Sequence, residues 1–433
     1  MSGVIGITFL GAVLAFALWK PGFAAAVALF LGRQILTIGP LHIYAAITVV
    51  IAIGIRLGAE LSISTRVRVN PKVWLMGATL AIVSGVGYVR IGDVGINGLN
   101  AYGQQKAYLI LAVEVPLVLM VGWLSTDPKW RGQLFVGLVA IPLGLAIISG
   151  AGTHTGRAVA LDGGPITLAQ FCLIAALILL FAWNSELRPI MRKYPGATVG
   201  RWLVLAFLVV VAFRTESRFP LIAFAFCVLF GILHRSRRSQ GYSIGKRART
   251  LLLVGMILVG LSAGINSLGS HSRYTLFLQD PSAEISRSRL PAWTVGLSEA
   301  REGGVLGLGF GAFPSSASGS TAADLQYAHN LELELLGEGG WFAGGLCIVV
   351  YFGLLMEVLR RRYTSIASLT LFAFLVVQVS GDLYNSRLFF ILLALGLCSH
   401  TTAATKRQTD EGRFLEEVEM RPRVGQSLSG SPP

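Results

Sequence analysis

Two stretches, far apart in the chain, hold residue types that can do chemistry at a membrane surface. In Phe213-Arg214-Thr215-Glu216-Ser217-Arg218-Phe219-Pro220, two guanidinium groups flank a very short turn between apolar runs. Holding an arginine at membrane depth costs about 2.5–3.5 kcal/mol on insertion scales, so an anionic partner is expected beside Arg218. Ser217 suits a helix N-cap and Pro220 a first turn, which aims a helix N-terminus at the same point. Backbone amides together with a guanidinium make a phosphate cradle. The competing reading is an arginine at headgroup level that pairs with Glu216 or with lipid phosphate. The second stretch is Tyr327-Ala328-His329-Asn330-Leu331-Glu332. An imidazole that titrates near neutrality accepts a proton from a hydroxyl nucleophile. Glu332, three residues on, shares a helical face with His329 and either orients it or competes with it. The alternative is an interfacial histidine bonded to backbone.

Between the two lies Ser286-Arg287-Ser288-Arg289-Leu290-Pro291-Ala292-Trp293. Taken alone, Arg289 reads as a solvated surface charge, and so do Arg273 and Arg301. His154 and Arg157 face the same side and border a groove at best. Gly307-Leu308-Gly309-Phe310-Gly311 has the look of a nucleotide loop, but no strand–helix unit surrounds it, so a flexible turn is expected. The sequence has neither an Asp-x-Asp pair nor a His-Glu-x-x-His helix, and no metal or other cofactor is expected.

The elements that must position these residues are apolar helices. The chain is 54% hydrophobic and 13% charged, with a mean hydropathy of +0.66, where soluble domains carry roughly 25% charged residues. Apolar runs at about 4–19, 22–38, 40–58, 73–89, 107–125, 132–150, 166–184, 202–213, 219–234, 250–266, 341–358, 364–380 and 387–399 predict an all-α polytopic membrane protein with 12 or 13 spans. No signal-peptide pattern opens the chain, so the first run is expected to be a retained span. Cys172, Cys227, Cys347 and Cys398 all fall inside apolar runs, as core residues do. Glu114 is an acid within a span, thin support for an ion path.

The net charge of +14 does not indicate nucleic acid. Its basic residues gather in alternate turns, Arg66/Arg68/Lys72, Lys129/Arg131, Arg188/Arg192/Lys193, Arg235 to Arg249 and Arg360/Arg361/Arg362, which the positive-inside rule makes cytoplasmic. The long polar stretch 267–340 is then extracytoplasmic, where loops that do the work are usually found. Trp19, Trp74, Trp123, Trp183, Trp202 and Trp341 sit near span ends, as an interfacial belt requires. The expected organisation is N-terminal spans over 1–266, a catalytic loop over 267–340, C-terminal spans over 341–399 and a disordered cytoplasmic tail over 400–433.

Four marks in order resemble the bacterial O-antigen ligase/polymerase superfamily of membrane glycosyltransferases. They are Glu216-Ser217-Arg218 opening a span, Arg289 followed by Pro291 and Trp293, the glycine-rich 307–311 stretch, and His329-Asn330-Leu331-Glu332-Leu333-Glu334 with Gly337 and Gly340 before a span. They cover about 214–345. The resemblance implies a GT-C-like, inverting, metal-independent transferase of the inner membrane with a polyprenyl-diphosphate-linked glycan donor. It implies that Arg218 and Arg289 bind the diphosphate and that His329 acts on the acceptor hydroxyl. Arg214, Glu216, Ser217, Arg287, Trp293, Asn330 and Glu332 are then expected around the substrates. The acceptor is the lipid A core in the ligases and another lipid-linked repeat unit in the polymerases. Glu332 and Glu334 depart from the family's usual residues after the histidine. A lipid or polysaccharide transporter is the reading from a different class.

Overall fold

The computed structural model describes residues 14–31, 35–38, 41–63, 70–93, 99–149, 153–154, 157–158, 165–238, 280, 289–318, 320, 327–361, 364–380 and 386–398. The expected span at 250–266, Arg273, Arg287 and the tail 400–433 lie outside them.

Helices dominate. In chain order they are α1 (Pro21–Leu31), α2 (Ala45–Ile63), α3 (Pro71–Val89), α4 (Leu99–Leu109), α5 (Val115–Leu124), α6 (Pro128–Ser149), α7 (Pro165–Leu177), α8 (Arg188–Met191) and α9 (Ala197–Arg214). Then follow α10 (Arg218–Arg238), α11 (Leu290–Glu302), α12 (Phe313–Ser316), α13 (Leu331–Gly339), α14 (Gly345–Arg360), α15 (Thr364–Ser380) and α16 (Arg387–Cys398). Wider π-helical stretches at Ile110–Glu114, Ile178–Leu187 and Gly340–Gly344 join α4 to α5, α7 to α8 and α13 to α14. Among the described residues, six continuous stretches are long and apolar enough to cross a membrane: Pro71–Val89, Tyr102–Leu124, Pro128–Ser149, Pro165–Met191, Ala197–Arg214 and Leu331–Arg360. Five shorter apolar helices accompany them. The protein is an all-α, multi-pass membrane protein.

The expected spans at 22–38 and 40–58 need correction. Helix α1 stops at Leu31, and Ile35–Ile38 (β1) pairs antiparallel with Leu41–Tyr44 (β2) before α2 begins. The runs Ile35-Leu36-Thr37-Ile38 and Leu41-His42-Ile43-Tyr44 are short and rich in β-branched and aromatic residues, which hydropathy alone does not separate from helix. A second, shorter ribbon pairs Thr153–His154 (β3) with Arg157–Ala158 (β4).

Helix α16 is the centre of the bundle. Every residue from Leu388 to Cys398 is buried, as expected of a helix that is apolar all round and sits inside other helices. Tyr351 of α14 meets Phe389 edge to face at 5.5 Å, and Phe374 of α15 lies 5.8 Å from the same ring. Outward-facing Val89, Ile148, Leu203 and Val349 are exposed, which is the pattern of a surface covered by lipid rather than water. Four of the six expected belt tryptophans, Trp19, Trp74, Trp202 and Trp341, are exposed, whereas Trp123 and Trp183 are buried. Trp123 is withdrawn into an edge-on pair with Trp130, their rings 6.1 Å apart. All four cysteines are free and buried.

Two basic turns converge on the end of α16. The Arg361 Nη1 donates to the carbonyls of Gly396 and Leu397 at 2.9 and 2.7 Å, and the Asn70 Nδ2 donates to Leu397 at 2.9 Å. Lys72 pairs with Glu357 at 2.6 Å. The last carbonyls of a helix have no intrahelical partner, so cationic and amide donors there satisfy them and favour the negative end of the helix dipole.

Candidate functional site

The candidate residues lie at the starts of α10 and α11 and just ahead of α13. Helix α11 lies along α13. Gly296 makes the approach close: a Cβ at this position would come within 2.9 Å of the Ala328 Cβ and 3.2 Å of the Leu333 Cβ. That packing brings the Arg289 end of α11 beside His329, which stands just ahead of α13. Arg289 occupies the N-cap position of α11, with Pro291 in the first turn.

His329 has φ of +56° and Glu216 has φ of +54°, the two non-glycine residues with positive φ among the described residues. A side chain held there costs on the order of 1–3 kcal/mol and persists only where its surroundings impose it. Both belong to the motifs that the sequence singles out. The His329 ring lies 4.2 Å from Tyr327, and its Nδ1 is buried with no hydrogen-bond partner among the described residues. Burial, and then the positive charge of Arg289, lower its pKa from the ordinary value to about 3. The imidazole is therefore neutral at physiological pH, and Arg289 is close enough to be felt by it. The Trp293 Nε1 on α11 is likewise buried without a partner among the described residues.

Around Glu216 the chain turns tightly between α9 and α10. Thr215 closes the turn, its Oγ1 donating to Ala212 at 2.7 Å and accepting from the Ser217 amide at 3.2 Å. Ser217 is buried and its Oγ donates weakly back to Thr215 at 3.5 Å. Arg214 is exposed at the end of α9, and Arg218 is the partly buried first residue of α10, at the positive end of that helix. Helix α10 packs along α15.

Two further expected residues are held from within the fold. Asn330 caps α13, accepting from the Leu333 amide at 2.9 Å, while its Nδ2 donates to the Gln378 carbonyl of α15 at 3.1 Å. Glu332 accepts from the Gln378 Nε2 at 2.8 Å and from Tyr351 through the same Oε1. Its bonds therefore point into the bundle, and its Oε2 is buried without a partner among the described residues. Through Gln378 and the α10 contact, α15 links the helix that starts at Arg218 to the helix that follows His329.

Behind this arrangement sits a buried ionic group that the motifs alone do not reveal. Lys106 of α4, fully buried, bonds Glu334 and Glu338 of α13 and stands 5.1 Å from the Phe310 ring centre. Glu299 of α11 lies next to them, and burial raises its carboxyl pKa to about 8. At neutral pH, then, Glu299 is largely protonated and the cluster is one cation between two carboxylates. The available signal was an ionisable residue beside an apolar run on each of two separate helices.

The 307–311 stretch is not the flexible turn expected. The amides of Leu308 and Gly309 donate to the carbonyls of Gly337 and Glu338 at 2.8 and 3.1 Å. Those of Phe310 and Gly311 donate to the Gly87 carbonyl at 3.1 Å and the Glu338 Oε1 at 3.0 Å. Amides used in this way do not cradle a phosphate. The turn presses on the break between α13 and its π-helical continuation. A Cβ on Gly340, whose φ is +71°, would overlap the Gly307 amide nitrogen and the Val305 carbonyl oxygen. Gly340→Ala is thus expected to lose several kcal/mol, since both backbone clash and strain oppose it. A detergent-solubilised variant whose melting temperature matches the parent would contradict this.

The fold defines the class, a many-helix protein embedded in a membrane. Within that class, residues 202–349 match the family model described as O-Antigen ligase, which supports the resemblance to the O-antigen ligase superfamily. The match runs from α9 into α14 and takes in Arg218, Arg289 and His329. No curated protein and no solved structure matches the chain.

Proposed function

We propose that the protein is a membrane glycosyltransferase that moves a glycan from a polyprenyl-diphosphate carrier to an acceptor hydroxyl at the outer face of the inner membrane. The observation that carries this reading is the pairing of Arg289 with His329, drawn from separate motifs by the packing of α11 on α13. Arg218 and Arg289 bind the diphosphate, whose departure as a leaving group is assisted once fixed guanidinium groups neutralise its charge. Arg214, Glu216, Ser217 and Trp293 border the donor. His329 takes the acceptor proton on the opposite face of the sugar carbon, so the configuration inverts.

The low basicity of His329 fits an ordered cycle. Before the donor binds, burial and then Arg289 hold the imidazole neutral, in the form a base needs but with little driving force. A diphosphate on Arg289 cancels that positive charge and raises the basicity of His329 when the acceptor arrives. The donor thereby prepares the base.

The test is purified protein in liposomes with a polyprenyl-diphosphate glycan and a hydroxyl acceptor. Covalent product is expected, falling by about 10²–10³ in kcat for Arg218→Ala and for Arg289→Ala, on the scale of losing one charge-stabilising donor. Movement of the lipid across the bilayer without covalent product would instead identify a transporter. Offering a second lipid-linked repeat unit against a lipid A core separates polymerase from ligase.

A further inference from the structure

On another side of the bundle, α6, the π-helical stretch Ile178–Leu187 and α9 enclose an apolar groove of about 700 Å³. That lies in the range of ~300–1,000 Å³ usual for small-molecule sites. Its walls are Val136 and Leu143 of α6, Leu179 of the π-helical stretch and Val204 of α9. Small residues keep it open: a Cβ built on Gly200 of α9 meets no atom within 4 Å.

The groove is polar at one end only. There the turn Tyr194–Gly196 and Arg201 form its rim. The Arg201 guanidinium is fixed in place, donating to the Leu180 carbonyl at 3.3 Å and lying 5.4 Å from the Trp183 ring centre and 4.7 Å from that of Trp202. Arg188, Arg192 and Lys193, all exposed, sit on the same turn. The nearby carboxylate, Glu186, is engaged by Arg131 at 3.0 Å. Aromatic rings with clustered cations are the composition of a headgroup plane that faces anionic lipid.

We propose that this groove is a binding site for one anionic phospholipid, its acyl chain along the apolar walls and its headgroup against Arg201 and the basic turn. Three features select this occupant. Hydrocarbon walls reject a polar ligand, and the positive rim favours a net negative headgroup over a zwitterionic one. The same cations repel a second copy of the chain. The site is independent of the transferase chemistry proposed above.

The test is native mass spectrometry of the full chain released from nanodiscs of phosphatidylcholine doped with phosphatidylglycerol. One phosphatidylglycerol per chain is expected to survive delipidation, in preference to phosphatidylcholine. Arg201→Gln is expected to weaken its retention about fivefold, the effect of one cation at an anionic surface. Arg201→Lys is expected to restore much of it. The Cβ of Gly200→Leu enters the open volume with no atom within 4 Å, so this variant is expected to displace the lipid while the protein still folds. Equal retention of the two lipids, unchanged retention in both Arg201→Gln and Gly200→Leu, or a crosslink placing the 250–266 segment in the groove would each overturn the proposal.

Discussion

His329→Ala is expected to stop glycan transfer, lowering kcat by about 10²–10⁴, the usual contribution of a positioned general base. Membrane insertion and donor binding are expected to be unchanged, because His329 precedes α13 and Asn330, not the histidine, caps that helix. His329→Gln is expected to be as inactive, since an amide cannot accept a proton at this pH. A variant that keeps more than a tenth of the parental rate would remove His329 from the chemistry. The pH dependence gives a second reading. With the His329 pKa lowered to about 3, a base remains deprotonated until the pH falls near that value. The kcat/KM profile, which reports the free enzyme, is therefore expected to show no inflection near 6.5 as pH falls from 8 to 5. Once the donor covers Arg289, the imidazole becomes more basic, so the kcat profile is expected to fall at a higher pH than that of kcat/KM. A histidine-like inflection near 6.5 in kcat/KM would mean that the imidazole is solvated and free of Arg289.

Lys106→Met is expected to be the most destabilising single change in the ionic cluster. It leaves Glu334 and Glu338 side by side, both almost wholly buried, without their cation. Removing one partner of a buried ion pair typically costs about 3–5 kcal/mol, whereas replacing the whole group with well-packed neutral residues is often nearly neutral. The triple variant Lys106→Met, Glu334→Gln, Glu338→Gln is accordingly expected to recover most of the loss, because the side-chain carbonyl introduced by Glu338→Gln still accepts from the Gly311 amide. Thermal unfolding in detergent across the single and triple variants measures this. If the triple variant is no more stable than Lys106→Met, the cluster's contribution is not charge pairing.

Much of the architecture was legible because hydrophobicity is a local property. Runs of apolar residues and basic turns mark spans one at a time, and the helices over 71–89, 128–149 and 197–214 follow them closely. The strand pair at Ile35–Ile38 and Leu41–Tyr44 was not legible, because a short apolar run does not distinguish strand from helix by hydropathy alone. Arg218 at the start of a helix was readable from the short turn and from Pro220, whereas the Asn330 cap of α13 and its tie to α15 came from the structure.

What the sequence could not supply is which distant residues meet. By itself it determined a many-helix membrane protein and singled out Arg218 and His329 by type, with Arg289 added by the order of motifs that the family resemblance rests on. Only the tertiary structure set Arg289 against His329, turned Glu332 toward Tyr351 and Gln378, closed the glycine-rich turn on α13 and joined Lys106 to Glu334 and Glu338. The physical reason is that crossing a membrane constrains each helix separately, through the hydrogen bonding and polarity of its own segment. Neighbours are chosen by shape and by the few polar groups that must find partners in a medium without water. Those few groups are chosen jointly by helices far apart in the chain, and no local pattern records the choice.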